Sequence, residues 1–98
     1  MDLQAPQIGY RIHYMMETDT NQRLGAAIRM RRQARGVTLE ALHAATEIDV
    51  SQLSKIERGL CGMAPAQQER IARALGWSPV DLWKAAKPHA RRITKPAQ

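Results

Sequence analysis

An all-α fold of five short helices is what this chain predicts, and three observations predict it. Ala, Leu, Arg, Gln and Met, all strong helix formers, dominate the sequence, whereas Phe is absent and Trp and Tyr number two each. Apolar residues recur at helical spacing in five successive stretches. Each stretch is bounded by residues that open or close helices. With 98 residues the chain has room for one aliphatic core, burying about 60–65 % of its unfolded surface.

Residues 1–19 read as a leader or flexible arm. Pro6 and Gly9 interrupt them, and Ile8, Tyr10, Ile12 and Tyr14 alternate like a short strand with nothing to pair with. Met15 and Met16 are alternative points at which translation could begin. The first helix is expected from about Asn21 to Arg35, with Leu24, Ala27 and Ile28 on one face and Gly36 as its left-handed stop. Thr38 caps the second, which runs to about Ala45, and Val37 with Leu42 forms a hydrophobic staple across the cap.

Asp49 is the expected cap of the third helix, with Gln52 at the capping-box position, Ile48 and Leu53 as the staple, and Gly59 at the end. Pro65 opens the fourth, which carries Ile71 and Leu75 and closes at Gly76. Ser78, Pro79 and Asp81 open the fifth, stapled by Trp77 and Leu82. Three staples in register with three caps are hard to obtain by chance. The domain is therefore drawn over residues 20–83, with a basic tail over 84–98 containing Lys84, Lys87, Arg91, Arg92 and Lys95 and no acidic residue.

Charge narrows the function. Fifteen Lys and Arg against nine Asp and Glu leave +6 and a pI near 10.3, which suits a polyanionic partner. The lone Cys61 excludes an internal disulfide, and no apolar run approaches the ~18 residues of a membrane span, so a cytoplasmic protein with no membrane partner is expected. His13, His43, His89 and Cys61 lack metal-ligand spacing, and no phosphate-binding glycine loop or paired carboxylates stand out. No catalytic residue, metal or cofactor is expected, and the chain does not read as an enzyme.

Only about three residues join the second and third helices, the arrangement of a helix-turn-helix, whose second helix enters the DNA major groove. The run Val37-Thr38-Leu39-Glu40-Ala41-Leu42, followed by Ile48-Asp49-Val50-Ser51-Gln52-Leu53-Ser54-Lys55-Ile56-Glu57-Arg58-Gly59, closely resembles the Cro/lambda-repressor-like family of bacterial and phage regulators, also called the xenobiotic-response-element family. Leu24 to Arg32 and Ile71 to Ser78 resemble its first and fourth helices, so the likeness covers roughly residues 22–83. It implies a compact five-helix lambda-repressor-like DNA-binding domain. Three positions depart from the pattern: Leu39 in place of a backbone-contacting Gln, His43 in place of a small residue, and Glu47 where glycine is common.

The start of a recognition helix reaches base edges, and the same face recurs four or five residues on. That selects Val50, Ser51 and Lys55 as base readers, flanked by Gln52 and Ser54; the resemblance aligns the first three with the family's base-reading positions. Val50 suits a thymine methyl, Ser51 can donate or accept, Lys55 suits guanine acceptors, and Gln52 suits adenine. Thr38, Ser54, Arg58, Arg29 and Arg35 are the expected backbone contacts, with Arg91 and Arg92 as a further arm. The loop from Leu60 to Ala64 lacks basic residues. By resemblance Arg32 pairs with Glu57 as a structural tie, and Trp77 and Trp83 mark a possible dimer contact.

The reading favoured on these grounds is a sequence-specific regulator of double-stranded DNA, a phage- or plasmid-type repressor that binds an inverted-repeat operator as a homodimer. Three alternatives stay open: an antitoxin that also binds a toxin protein, a restriction–modification controller, and a basic RNA-binding module.

Overall fold

Helix α1 spans Gln4–Ala34, α2 Leu39–Thr46, α3 Val50–Glu57, α4 Pro65–Ala74 and α5 Pro79–Ala86 in a computed structural model of the chain. The structure describes the backbone of residues 4–87 and the side chains of residues 19–87. His13, His89, Arg91, Arg92 and Lys95 therefore carry expectations that lie outside the described side chains. No strand occurs among the described residues.

Two boundaries correct the sequence reading. The first helix begins at Gln4 rather than near Asn21, so the backbone of the expected leader is helical from residue 4 onward. Pro6 falls in the opening turn, where a missing N–H breaks no intrahelical bond, and a single Gly9 costs only about 1 kcal/mol. The fifth helix runs on to Ala86, three residues past the expected domain edge, because the Arg23 Nε–H donates to the Ala86 carbonyl at 3.1 Å and fastens it to α1. Arg23 is itself paired with Asp19 one turn earlier.

The caps fall as expected at two helices and not at the third. Thr38 Oγ1 accepts from the Ala41 amide at 3.0 Å. Ser78 and Asp81 exchange both capping-box bonds at 3.1 Å. Asp49 occupies the cap position of α3, but its carboxylate accepts no hydrogen bond from the helix, and Gln52 completes no box. The Leu53 amide reaches the Asp49 carbonyl at 2.8 Å, so the helix starts there on backbone bonds alone.

Helix α1 packs against α3 on one flank and α5 on another; α2 packs on α3 and α4, and α4 on α5. The core between them is aliphatic: Leu24, Ile28, Leu42, Leu53, Ile56, Ile71, Leu75 and Leu82 are buried, with Ile48 beside them and Val37 and Trp77 packed on the rim. The staple residues thus close the core at each helix entry. A fully buried Leu or Ile contributes about 1.5–3 kcal/mol, and the core residues of α2 and α3 supply most of what holds those two short helices in place.

One contact requires a particular residue. A Cβ on Gly25 would sit 2.2 Å from the Ile56 carbonyl oxygen and 2.7 Å from that of Glu57. Gly25 therefore lets the α1 backbone lie directly on the last turn of α3. Gly59, just after that turn, combines φ +77° with an approach to the Gln22 backbone. The exit of α3 is thus set by two glycines, one on each chain segment.

Candidate nucleic-acid interface

The turn between α2 and α3 is held by a threonine. Thr46 is buried; its hydroxyl donates to the Leu42 carbonyl at 2.8 Å and accepts from the Ile48 amide at 3.2 Å. Glu47 then takes the left-handed conformation, φ 64°, that a glycine would adopt without strain. This non-glycine turn costs roughly 1 kcal/mol, which the two Thr46 bonds offset. His43 lies on the exposed side of α2 with Nδ1 at 2.8 Å from the Ile48 carbonyl. A carbonyl only accepts, so Nδ1 carries the proton and Nε2 is left as the open ring position.

Leu53, Ile56 and Glu57 form the buried face of α3. On the opposite face Ser51, Lys55 and Arg58 are exposed and follow one another at i, i+4 and i+7, a single row along the helix. Val50 and Ser54 are half-buried on one flank of the row, and Gln52 is half-buried on the other. The Arg58 Nε–H reaches back to the Ser54 carbonyl at 3.3 Å, which holds the base of its side chain against the helix. Of the four expected base readers, Ser51 and Lys55 lie in the exposed row with Val50 and Gln52 on its two flanks; Val50, Ser51 and Gln52 stand in the first turn of α3, and Lys55 stands with Arg58 at its far end.

A two-point ion pair fixes this helix to α1. Arg32 Nε lies 2.6 Å from Glu57 Oε2 and Nη2 lies 3.0 Å from Oε1, with Glu57 buried. The third nitrogen, Nη1, donates to the Val37 carbonyl at 2.9 Å. One guanidinium therefore grips Val37, just ahead of the Thr38 cap of α2, and Glu57, the last residue of α3, the two ends of the helix-turn-helix. The hydrogen bond to Glu57 raises the Arg32 pKa further above its already high value, so the charge is permanent.

The remaining arginines of α1 divide by angle. Successive residues are about 100° apart around a helix. Arg29 is exposed and lies on the same flank as Gly25 and Arg32, the flank that meets α3. Arg35 does not: its guanidinium lies over Gly76, where an added Cβ would stand 3.1 Å from Nη1. Arg31 joins it there, with Nε donating to the Leu75 carbonyl at 2.9 Å and its guanidinium 5.0 Å from the centre of the Trp77 ring. These two arginines terminate α4, where cations are favoured by the free carbonyls.

The expected tryptophan pair is also separated. Trp77 stacks under Arg31 beside Ala27, Met30 and Ala85. Trp83 is 43 % exposed, and its indole N–H donates to Gln68 Oε1 at 3.0 Å on the α4 side of α5. Ala85 and Trp83 are two positions apart on α5, about 200° around its axis, so the two indoles belong to different flanks. Val80, exposed and three residues before Trp83, shares the latter's side.

Composition did not reveal where the charge falls. Between Thr38 and Gly59 the cations are Lys55 and Arg58, against the carboxylates Glu40, Glu47, Asp49 and Glu57. The basic excess of the chain therefore does not reside on the helix-turn-helix itself. Thr46 and Gly25 were missed too, since a hydroxyl bonding its own turn and a helix–helix approach leave no periodic signal. Among the described residues, no group of three His, Cys, Asp or Glu side chains could hold a metal ion. No helix among them is long and apolar enough to cross a membrane.

A family model described as "Helix-turn-helix domain" matches residues 23–83. Two crystal structures of the clp gene regulator ClgR from Corynebacterium glutamicum resemble this fold. One is 34 % identical, with a TM-score of 0.66 over 68 % of this chain and 86 % of that one. The other is 32 % identical, with a TM-score of 0.67 over 80 % of each chain. The restriction–modification controller protein C.AhdI from Aeromonas hydrophila is 27 % identical, with a TM-score of 0.61 over 63 % of this chain and 94 % of its own. No curated protein sequence matches significantly. The matched span begins at Arg23 and ends at Trp83, enclosing the core of α1, the Thr46 turn, α3 and its Arg32 clamp, and the chain belongs to the helix-turn-helix domain family, in its Cro/lambda-repressor-like form.

Proposed function

We propose that this DNA-binding transcriptional regulator acts as a cytoplasmic repressor that binds an inverted-repeat operator as a homodimer, with α3 in the major groove of each half-site. The observation that carries this reading is the exposed row Ser51, Lys55 and Arg58 on a helix whose opposite face is buried and clamped by Arg32. Val50, Ser51, Gln52 and Lys55 read bases, and Thr38, Ser54, Arg58 and Arg29 hold the phosphate backbone. Arg35, seated over Gly76, is left out of that set. No cofactor enters the mechanism. Pairing of two chains is assigned to the outer flank of α5 around Val80 and Trp83, which present exposed apolar surface.

Selection of bound fragments from a random duplex pool at near-physiological salt tests the reading. An enriched inverted repeat, with half-site centres about 34 Å or a multiple apart, is the expected result. No enrichment by folded protein would overturn it. In the same assay Lys55→Ala should change the preferred base at one position. Arg58→Ala should weaken binding to all sequences and lower the salt slope by about 1.

A further inference from the structure

Asp49 is the one carboxylate of the helix-turn-helix set at the tip of α3, and it is not doing the work its position suggests. Thr38 and Ser78 each accept a hydrogen bond from their own helix, whereas the Asp49 side chain accepts none. It is exposed, and it has neither a hydrogen bond nor an ion pair with any described side chain. Glu57, by contrast, is consumed by Arg32. A negative charge two residues before Ser51, on the surface that approaches a polyanion, repels phosphate, and among the described residues no cationic side chain pairs with it. It is tolerated without loss only where DNA presents a donor.

The major groove presents two such donors, the exocyclic amino groups of cytosine and adenine, and a carboxylate pairs with the cytosine N4 amino group. Guanine shows acceptors there and thymine an acceptor and a methyl group, so both are rejected. We propose that Asp49 is a further specificity-determining residue, accepting a hydrogen bond from a cytosine amino group in each half-site and rejecting guanine and thymine at that position. The proposal rests on the reading of α3 as the base-reading helix. It is the charge and freedom of this side chain, rather than the helix terminus behind it, that select the base.

Wild-type protein, Asp49→Ala and Asp49→Asn are compared by random-pool selection and by thermal melting. Wild type should enrich cytosine at one position of each half-site. Asp49→Ala should lose about 5- to 100-fold of the discrimination at that position alone, bind random duplex more tightly, and melt as wild type does. Asp49→Asn should shift the preference there toward adenine, the base that a carboxamide pairs with. Two results overturn the assignment while leaving the regulator reading intact: an Asp49→Ala motif identical to that of wild type, or a lower melting temperature in Asp49→Ala that Asp49→Asn restores with no change of motif, the behaviour of an ordinary cap. A wild type that enriches no motif removes the base-reading role of α3, and Asp49 falls with it.

Discussion

Arg31 and Arg32 are neighbours in sequence and do unrelated work. Arg32 points at α3, where its guanidinium makes a two-point pair with the buried Glu57 and binds the Val37 carbonyl. Arg31, turned about 100° around the same helix, points at the α4–α5 turn, where it binds the Leu75 carbonyl and lies over Trp77. The first contact holds the helix-turn-helix; the second holds the support behind it. A run of basic residues on one helix is therefore not one feature. Each arginine takes its role from what lies in its direction, and only Arg29 of this group remains exposed on the α3 flank.

The two sides of that division differ in energy. Arg32→Ala leaves Glu57 buried without a partner and should cost about 3–5 kcal/mol, lowering the melting temperature by more than ~10 °C. Replacing both partners with apolar residues, Arg32→Met with Glu57→Leu, should recover most of that loss in the same melting experiment. A single variant that melts with wild type would remove the clamp from the account.

Gly25→Ala tests the same flank by steric means. The added Cβ meets backbone, which cannot rotate away, so about 1–3 kcal/mol should be lost as α1 and α3 are pushed apart. Chemical denaturation measures it, and an unchanged midpoint would show that the two helices do not approach so closely. On the other flank Arg31→Ala removes one partly buried hydrogen bond and one ring contact, worth about 1–2 kcal/mol together, and should leave DNA sequence preference untouched.

The smallest effect is a pH dependence. Bonding to Ser78, chiefly from its backbone amide, holds the Asp81 carboxyl below the ordinary carboxylate range, with Lys84 and Arg31 adding to it. A lowered folded pKa means the stabilisation is complete above the unfolded value, about 4, and is lost as pH falls through the folded value. Wild type should therefore lose more melting temperature than Asp81→Asn when acidified from about pH 5 to pH 3. Parallel acid profiles would show that the capping box contributes nothing.

Local chemistry in the sequence was enough to place most of the frame. The closing residues Gly36, Gly59 and Gly76 all have positive φ, and the openings at Thr38, Pro65 and Ser78 stand where their residue types put them. The core of Leu24, Ile28, Leu42, Leu53, Ile71, Leu75 and Leu82 follows from period-3.6 patterning, because burial of one face is what stabilises helices this short. Asp49 was the instructive exception. Its residue type qualifies it as a cap, but the bond depends on a side-chain rotation that residue type does not dictate. The start of α1 departs from the sequence expectation for a related reason: proline and glycine signal a break in general, yet proline in a first turn opens a helix.

The sequence by itself determined that there are five helices, where four of them start, which residues turn inward, and which face of α3 is left polar. Tertiary structure alone decided which arginine meets Glu57, that Gly25 must carry no side chain, and that Arg35 stands with Gly76 and away from α3. The physical reason is range. Caps, turns and amphipathic faces are set by residues within one or two turns of each other, so their signals lie next to one another in the chain. Ion pairs such as Arg32 with Glu57 join residues 25 positions apart, and their partners are fixed only when the packed core sets the angle and distance between helices.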